Sequence, residues 1–70
     1  MDERLRIVLA RLLRDGAANL EELANEARTS PERVAQLLDG FPVRVGSGKA
    51  VVERKADLIF EAWRRGLDPV

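Results

Sequence analysis

The stretch "NEARTSPERVAQLLDG", Asn25 to Gly40, predicts two short helices joined by a sharp turn. Ser30 is a favourable N-cap for the second of these helices. Pro31 falls in its first turn, where the missing N–H leaves no hydrogen bond unmade. The buried face of this helix is expected to consist of Val34, Leu37 and Leu38. The stretch therefore predicts a close helical pair in the middle of the chain, ended by Gly40.

The residues before this stretch continue the helical pattern. Apolar residues at i, i+3, i+4, i+7 and i+8 predict a first helix at about 2–14, with Leu5, Val8, Leu9, Leu12 and Leu13 buried. Asn19 is a good N-cap for the next helix, and Glu22 completes a pair like a capping box. That helix is expected to bury Leu20, Leu23, Ala24 and Ala27.

The residues after Gly40 change from helical to alternating spacing. Val43 and Val45 alternate with Arg44, Gly46-Ser47-Gly48 supplies a turn, and residues 50–52 return, which predicts a β-hairpin. Ala17-Ala18 could add a short third strand beside it. The expected fold is therefore mainly α with a small β-hairpin, in the order helix, helix, helix, hairpin, helix.

The last helix, at about 54–65, carries more apolar surface than one buried face needs. One stripe consists of Leu58, Ile59, Ala62 and Trp63, and a second consists of Ala56, Phe60, Trp63 and Leu67. A broad contact with the first helix would use both stripes. The sharper interpretation makes Phe60, Trp63 and Leu67 a dimer or partner interface, because aromatic residues are enriched at interfaces.

Composition limits the function classes. The 70 residues form one domain at most, residues 1–70, and such a chain buries only about 60% of its unfolded surface. With no Cys and no His, we expect no disulfide, no metal site and no cofactor. The carboxylates are spaced like solvated helix faces, and neither serine has a basic partner, so we expect no catalytic residues and no enzyme.

The N-terminal segment does not predict a targeting or membrane sequence. Its apolar run "LRIVLARLL" is interrupted by Arg6 and Arg11, and no small-residue cleavage site follows. No uninterrupted apolar stretch approaches the ~20 residues that a membrane span needs. We therefore expect a soluble, cytoplasmic protein with no membrane partner.

Charge is distributed unevenly although the formal net charge is zero. Residues 20–39 carry two cations against five carboxylates, and residues 40–56 carry four cations against Glu53. The central helical pair is therefore acidic and the hairpin segment is basic. The turn "GSGK" does not match a nucleotide-binding loop, because Lys49 is followed by a strand pattern rather than by Ser or Thr and a helix.

These elements resemble the winged helix-turn-helix superfamily. The resemblance rests on "LEELANEARTSPERVAQLL" and on "VRVGSGKAVV" at the position of the wing, and covers most of the chain. Ala24 meets the pattern's small residue, and Val34 and Leu37 meet its apolar positions. Gly is usual in the turn, where this chain has Arg28. Positive φ is costly for a non-Gly residue, which leaves open a turn of another shape.

The resemblance implies double-stranded DNA as a partner. The superfamily's base-reading positions fall on Ser30, Pro31, Glu32, Ala35, Gln36 and Asp39. Gln36 can pair with adenine and Glu32 can accept from cytosine, but none of these positions holds the Arg or Lys that most often contacts guanine. The predicted DNA-binding residues are Arg28, Ser30, Arg33, Gln36, Arg44 and Lys49, with Arg44 and Lys49 on phosphates.

Three functions stay open from the sequence. The preferred one is a transcriptional regulator or chromosome-associated factor, dimeric through its last helix, with two units at one helical-turn spacing. The second is a protein–protein interaction module that uses the acidic helical face or the apolar side of the last helix. The third is RNA binding within a larger assembly.

Overall fold

The computed structural model describes residues 3–69, which form four helices and three strands. In chain order they are α1 (Glu3–Asp15), β1 (Ala17–Asn19), α2 (Leu20–Ala27), α3 (Pro31–Leu37), β2 (Val43–Gly46), β3 (Lys49–Val52) and α4 (Lys55–Arg64). The predicted start of the first helix at residue 2 lies outside the described residues. The fold is mainly helical with a small antiparallel sheet, as expected from the sequence.

The three strands form one antiparallel sheet in the order β1-β3-β2. Ala18 and Val45 both pair with Ala50, so the expected third strand at Ala17-Ala18 is confirmed. Ser47 and Gly48 connect β2 to β3, both with positive φ, which matches the right-handed twist of the flanking strands. Side chains alternate across the sheet, so Ala18, Val45 and Ala50 share the face turned toward the helices.

The core lies between this face of the sheet and the helices. Its buried apolar residues are Val8, Leu9, Leu12, Ala18, Leu23, Ala24, Ala27, Val34, Leu38, Phe41, Ala50, Leu58, Ala62 and Leu67. The expected faces of α1, α2 and α3 are thus confirmed, with Leu5, Leu13, Leu20 and Leu37 partly buried at their edges. Among the described residues, no polar or charged side chain is buried.

The starts of α2 and α3 are stabilised in different ways. Ser30 caps α3 as expected, because its Oγ accepts a hydrogen bond from the Arg33 N–H at 3.2 Å. The predicted capping box at Asn19 is wrong, since the Asn19 side chain makes no cap hydrogen bond. Asn19 is the last residue of β1 and occupies the N-cap position of α2, and the next N–H, that of Leu20, donates to the Gly48 carbonyl at 2.9 Å. The first N–H of α2 is therefore satisfied by a tertiary contact with the hairpin.

The chain reverses direction at the end of α4. Gly66 has φ +80°, its N–H donates to the Trp63 carbonyl at 2.9 Å, and the Leu67 N–H donates to the Ala62 carbonyl at 2.8 Å. This Schellman arrangement places the residue after the glycine against the preceding helical turn. Leu67 is accordingly 7% exposed and belongs to the core. The prediction that Leu67 extends an exposed stripe of the helix is wrong.

Candidate nucleic-acid interface

The turn between α2 and α3 is held by Arg28 in the left-handed conformation, with φ 57° and ψ 52°. The Arg28 N–H donates to the Asn25 carbonyl at 3.3 Å, and the Thr29 N–H donates to the Ala24 carbonyl at 2.8 Å. The turn therefore has the geometry that usually selects glycine, not another shape. Left-handed backbone costs about 1–2 kcal/mol in a residue with a Cβ.

The Arg28 side chain is exposed beside the start of α3. Within residues 3–69, no carboxylate pairs with its guanidinium and no acceptor takes a hydrogen bond from it. Strained backbone conformations at non-Gly residues concentrate at functional sites. Arg28 therefore combines an unfavourable backbone with a side chain that does not stabilise the described fold.

The outer face of α3 presents Glu32, Arg33, Gln36 and Asp39 to solvent. The Nη1 of Arg33 donates to the Gln36 Oε1 at 3.3 Å, so these two predicted DNA-binding side chains lie side by side. Ser30 is exposed as well, but its hydroxyl is engaged in capping the helix. With one cation against two carboxylates, this face is slightly acidic.

Arg44 and Lys49 lie on the outer face of the sheet. In β2, Arg44 alternates with Val43 and Val45, which line a groove with Ala35 of α3 on the other face. The structure thus divides the six predicted residues into two groups: Arg28, Ser30, Arg33 and Gln36 at the helical turn, and Arg44 and Lys49 on the hairpin. They do not form one continuous strip along α3.

The two hairpin cations differ in their surroundings. Arg44 forms an ion pair with Glu53 at 3.4 Å, and both side chains are more than half exposed. Lys49 is exposed and has no ion-pair partner among the described residues. The basic character predicted for the hairpin is therefore partly neutralised at Arg44 and retained at Lys49.

The hairpin projects only a short distance from the body of the domain. β1 pairs with β3 along its length up to the Asn19–Lys49 pair, so only the Ser47-Gly48 turn extends farther. An open cleft of about 600 Å³ separates this turn from the first turns of α2 and α3. Glu21, Glu22 and Glu32 line the cleft and make it acidic.

An ion-pair cluster next to this cleft joins α1 to α2. Arg11 pairs with Asp15 on its own helix, with Glu26 at 2.6 Å and with Glu22 at 3.7 Å. Hydrogen bonds from Arg14 and Arg11 hold the pKa of Asp15 below its usual value. We did not predict this cluster, because only the packing of the two helices brings these side chains together.

Two of the three aromatic residues of the chain are exposed on α4. Phe60 is 67% exposed and Trp63 is 61% exposed. The expectation that Trp63 shares the buried stripe of Leu58 and Ala62 is therefore wrong. Of the predicted interface residues, Phe60 and Trp63 lie on the surface and Leu67 does not.

The chain was compared with protein-family models, with curated proteins and with solved structures, and none of them matches it. Over residues 3–69, no helix is long and apolar enough to cross a membrane. In the same part of the chain, no group of three or more His, Cys, Asp or Glu side chains could hold a metal ion.

Proposed function

We propose that this chain is a winged-helix domain that binds duplex DNA, as a transcriptional regulator or chromosome-associated factor. The observation that carries the proposal is Arg28, an exposed arginine without a partner among residues 3–69, in a turn whose backbone favours glycine. A glycine would relieve the strain, so the arginine contributes something other than stability. A phosphate contact beside the start of α3 would use its free guanidinium.

In this proposal α3 approaches the major groove by its exposed face, which holds Arg33 and Gln36. Gln36 and Arg33 supply hydrogen-bonding groups for base edges, and Arg28 fixes the approach through a phosphate. Glu32 and Asp39 lie on the same face and repel the DNA backbone. The domain therefore binds weakly, and mainly where a cytosine amino group can meet Glu32.

In this proposal the hairpin contacts DNA phosphates through one residue near its base and one near its turn. Lys49 is the better phosphate contact because it is unpaired within residues 3–69. Arg44 must first exchange Glu53 for a phosphate, which reduces its net contribution. With Arg28, Arg44 and Lys49 as phosphate contacts, a plot of the logarithm of the binding constant against the logarithm of the salt concentration should have a slope of about −3.

A fluorescence titration with a random duplex at low salt, repeated at several salt concentrations, tests this proposal. Arg28→Ala together with Lys49→Ala should weaken binding and make the salt slope shallower by about two units. Lys55→Ala, which removes an exposed cation from the first turn of α4, is the matched control and should leave the slope unchanged. If the wild-type chain has no measurable affinity for duplex DNA at low salt, the proposal is wrong.

A second candidate is a protein-interaction module whose partner is basic, favoured by the three carboxylates that line the cleft. Reversing two of them, Glu22→Lys with Glu32→Lys, separates the candidates. If DNA is the ligand, the double variant should bind duplex more tightly, because two repulsive charges become attractive. If a basic protein is the ligand, the variant should lose a complex that the wild type forms in a pull-down.

A further inference from the structure

We propose that α4 pairs with α4 of a second copy of this chain, in antiparallel orientation, through the face that holds Phe60 and Trp63. This inference does not depend on DNA binding. It starts from two large aromatic side chains that are each more than 60% exposed and lie three residues apart on one helix. Residues three apart are neighbours on a helix surface, so the two rings form one apolar patch.

The patch combines a large and a small residue in positions that can face each other across two copies of α4. Ala56 lies seven residues before Trp63, on the same side of the helix, and it is exposed. In an antiparallel pair centred on Phe60, each Trp63 faces the Ala56 of the other copy, and the two Phe60 rings meet near the two-fold axis. A large side chain then fills the space above a small one at both ends of the contact.

The charges at the edge of the patch are complementary in the same arrangement. Asp57 and Arg64 are seven residues apart and exposed on one flank of α4. A two-fold axis between antiparallel helices brings equivalent flanks together, so each Asp57 meets the Arg64 of the other copy. Within residues 3–69 Asp57 has no ion-pair partner, whereas Arg64 contacts Glu61 at 3.1 Å.

The net charge and the small size of the chain also favour a second copy as the partner of this face of α4. The formal net charge is zero, so two copies do not repel each other at long range. A chain of 70 residues buries a limited core of its own, and association adds apolar burial that the monomer lacks.

Sedimentation equilibrium of the full chain over a wide concentration range tests the pairing. The expected mass rises with concentration from 7.8 kDa to twice that value. Trp63 is the only tryptophan, so its fluorescence emission should shift to shorter wavelength over the same range as its ring leaves water. A chain that stays monomeric at all concentrations would overturn the proposal and leave this face to a different partner.

Substitutions locate the contact. Trp63→Ala should raise the dimer dissociation constant by about 30-fold or more, as expected for a central interface aromatic, without changing the circular dichroism spectrum. Val51→Ala is the matched control, since Val51 is an apolar residue 42% exposed on the sheet, and the dimer should persist. A dimer that survives both Trp63→Ala and Phe60→Asp would overturn the assignment to α4.

A charge exchange tests the antiparallel register. Asp57→Arg and Arg64→Asp should each weaken the dimer, because each places like charges opposite one another. The double variant restores both pairs with their polarity reversed and should recover most of the wild-type affinity. Failure of the double variant to recover, while each single variant weakens the dimer, would overturn the register.

Discussion

The guanidinium of Arg65 lies over the ring of Phe41, with its carbon 4.1 Å from the ring centroid. The same side chain donates to the Gly40 carbonyl at 3.0 Å and pairs with Glu61 at 2.8 Å. Arg65 at the end of α4 therefore holds the segment that follows α3 against α4. This contact fixes where α3 ends relative to α4, and hence how the two candidate surfaces are oriented.

Loss of this contact should lower stability measurably. We expect Arg65→Ala to reduce the free energy of unfolding by about 1–2 kcal/mol, from the cation–π contact and the hydrogen bond to Gly40. Arg64→Ala is the matched control, because Arg64 is exposed and within residues 3–69 pairs with Glu61 alone, and it should cost less than about 0.5 kcal/mol at low protein concentration. Urea unfolding followed by circular dichroism measures both, and equal effects would contradict the role of Arg65.

The burial of Leu67 predicts a contrast with Phe60. Leu67→Ala should cost about 2–4 kcal/mol, because it leaves a cavity in the core. Phe60→Ala removes a side chain that is mostly in water and should cost less than about 1 kcal/mol at low protein concentration. Thermal unfolding at the same concentration compares them. A larger loss for Phe60 would mean that the chain does not reverse at Gly66.

The strain at Arg28 predicts that glycine stabilises the domain. Arg28→Gly should raise the free energy of unfolding by about 0.5–1 kcal/mol, since relief of the left-handed strain exceeds the added entropy of the unfolded chain. This corresponds to roughly 2–8 °C in the melting temperature. Arg28→Ala keeps the strain and should leave stability nearly unchanged.

The same two variants test the proposed role of the Arg28 side chain. Both lack the guanidinium, so both should weaken duplex binding by a similar factor in the titration described above. If Arg28→Gly destabilises the domain, the left-handed geometry of the turn is contradicted. If it stabilises the domain and leaves duplex binding intact, the phosphate contact is contradicted.

Acid should destabilise the domain through Glu61 and Asp15. Hydrogen bonds from Arg65 and Arg64 lower the pKa of Glu61 from its usual 4.5, and those from Arg14 and Arg11 lower the pKa of Asp15 from its usual 3.8. Since each folded-state pKa lies below the unfolded one, the unfolded chain binds more protons in acid. The stabilisation is complete above about pH 4.5 and is lost as pH falls through the folded-state pKa values.

Melting temperatures between pH 7 and pH 2.5 check this dependence. Glu61→Gln should give a shallower decline below pH 4.5 than the wild type, and added salt should flatten the wild-type decline, because the pairs are partly exposed. Between about pH 6 and 7 the melting temperature should stay constant, because the chain has no histidine. An unchanged acid slope in Glu61→Gln would show that other carboxylates dominate.

Patterns along the chain are sufficient to predict the order of the elements and most of the core. Periodicity located the buried faces of α1, α2 and α3, and alternation located the hairpin, because spacing decides which residues share a face. It also predicted the cap at Ser30, whose side chain acts on a backbone group three residues away. These features depend on neighbours along the chain, and local geometry is sufficient to specify them.

Other features depend on residues that are distant in sequence, and these follow from the packing of the elements. The Leu20 N–H at the start of α2 has its acceptor in the hairpin, at the Gly48 carbonyl. Leu67 enters the core because the reversal at Gly66 changes its direction, which a helical projection cannot represent. Trp63 lies on the surface because Leu58 and Ala62 form the contact of α4 with the core. Each outcome depends on contacts between groups that are distant in sequence or separated by a chain reversal, which local periodicity does not encode.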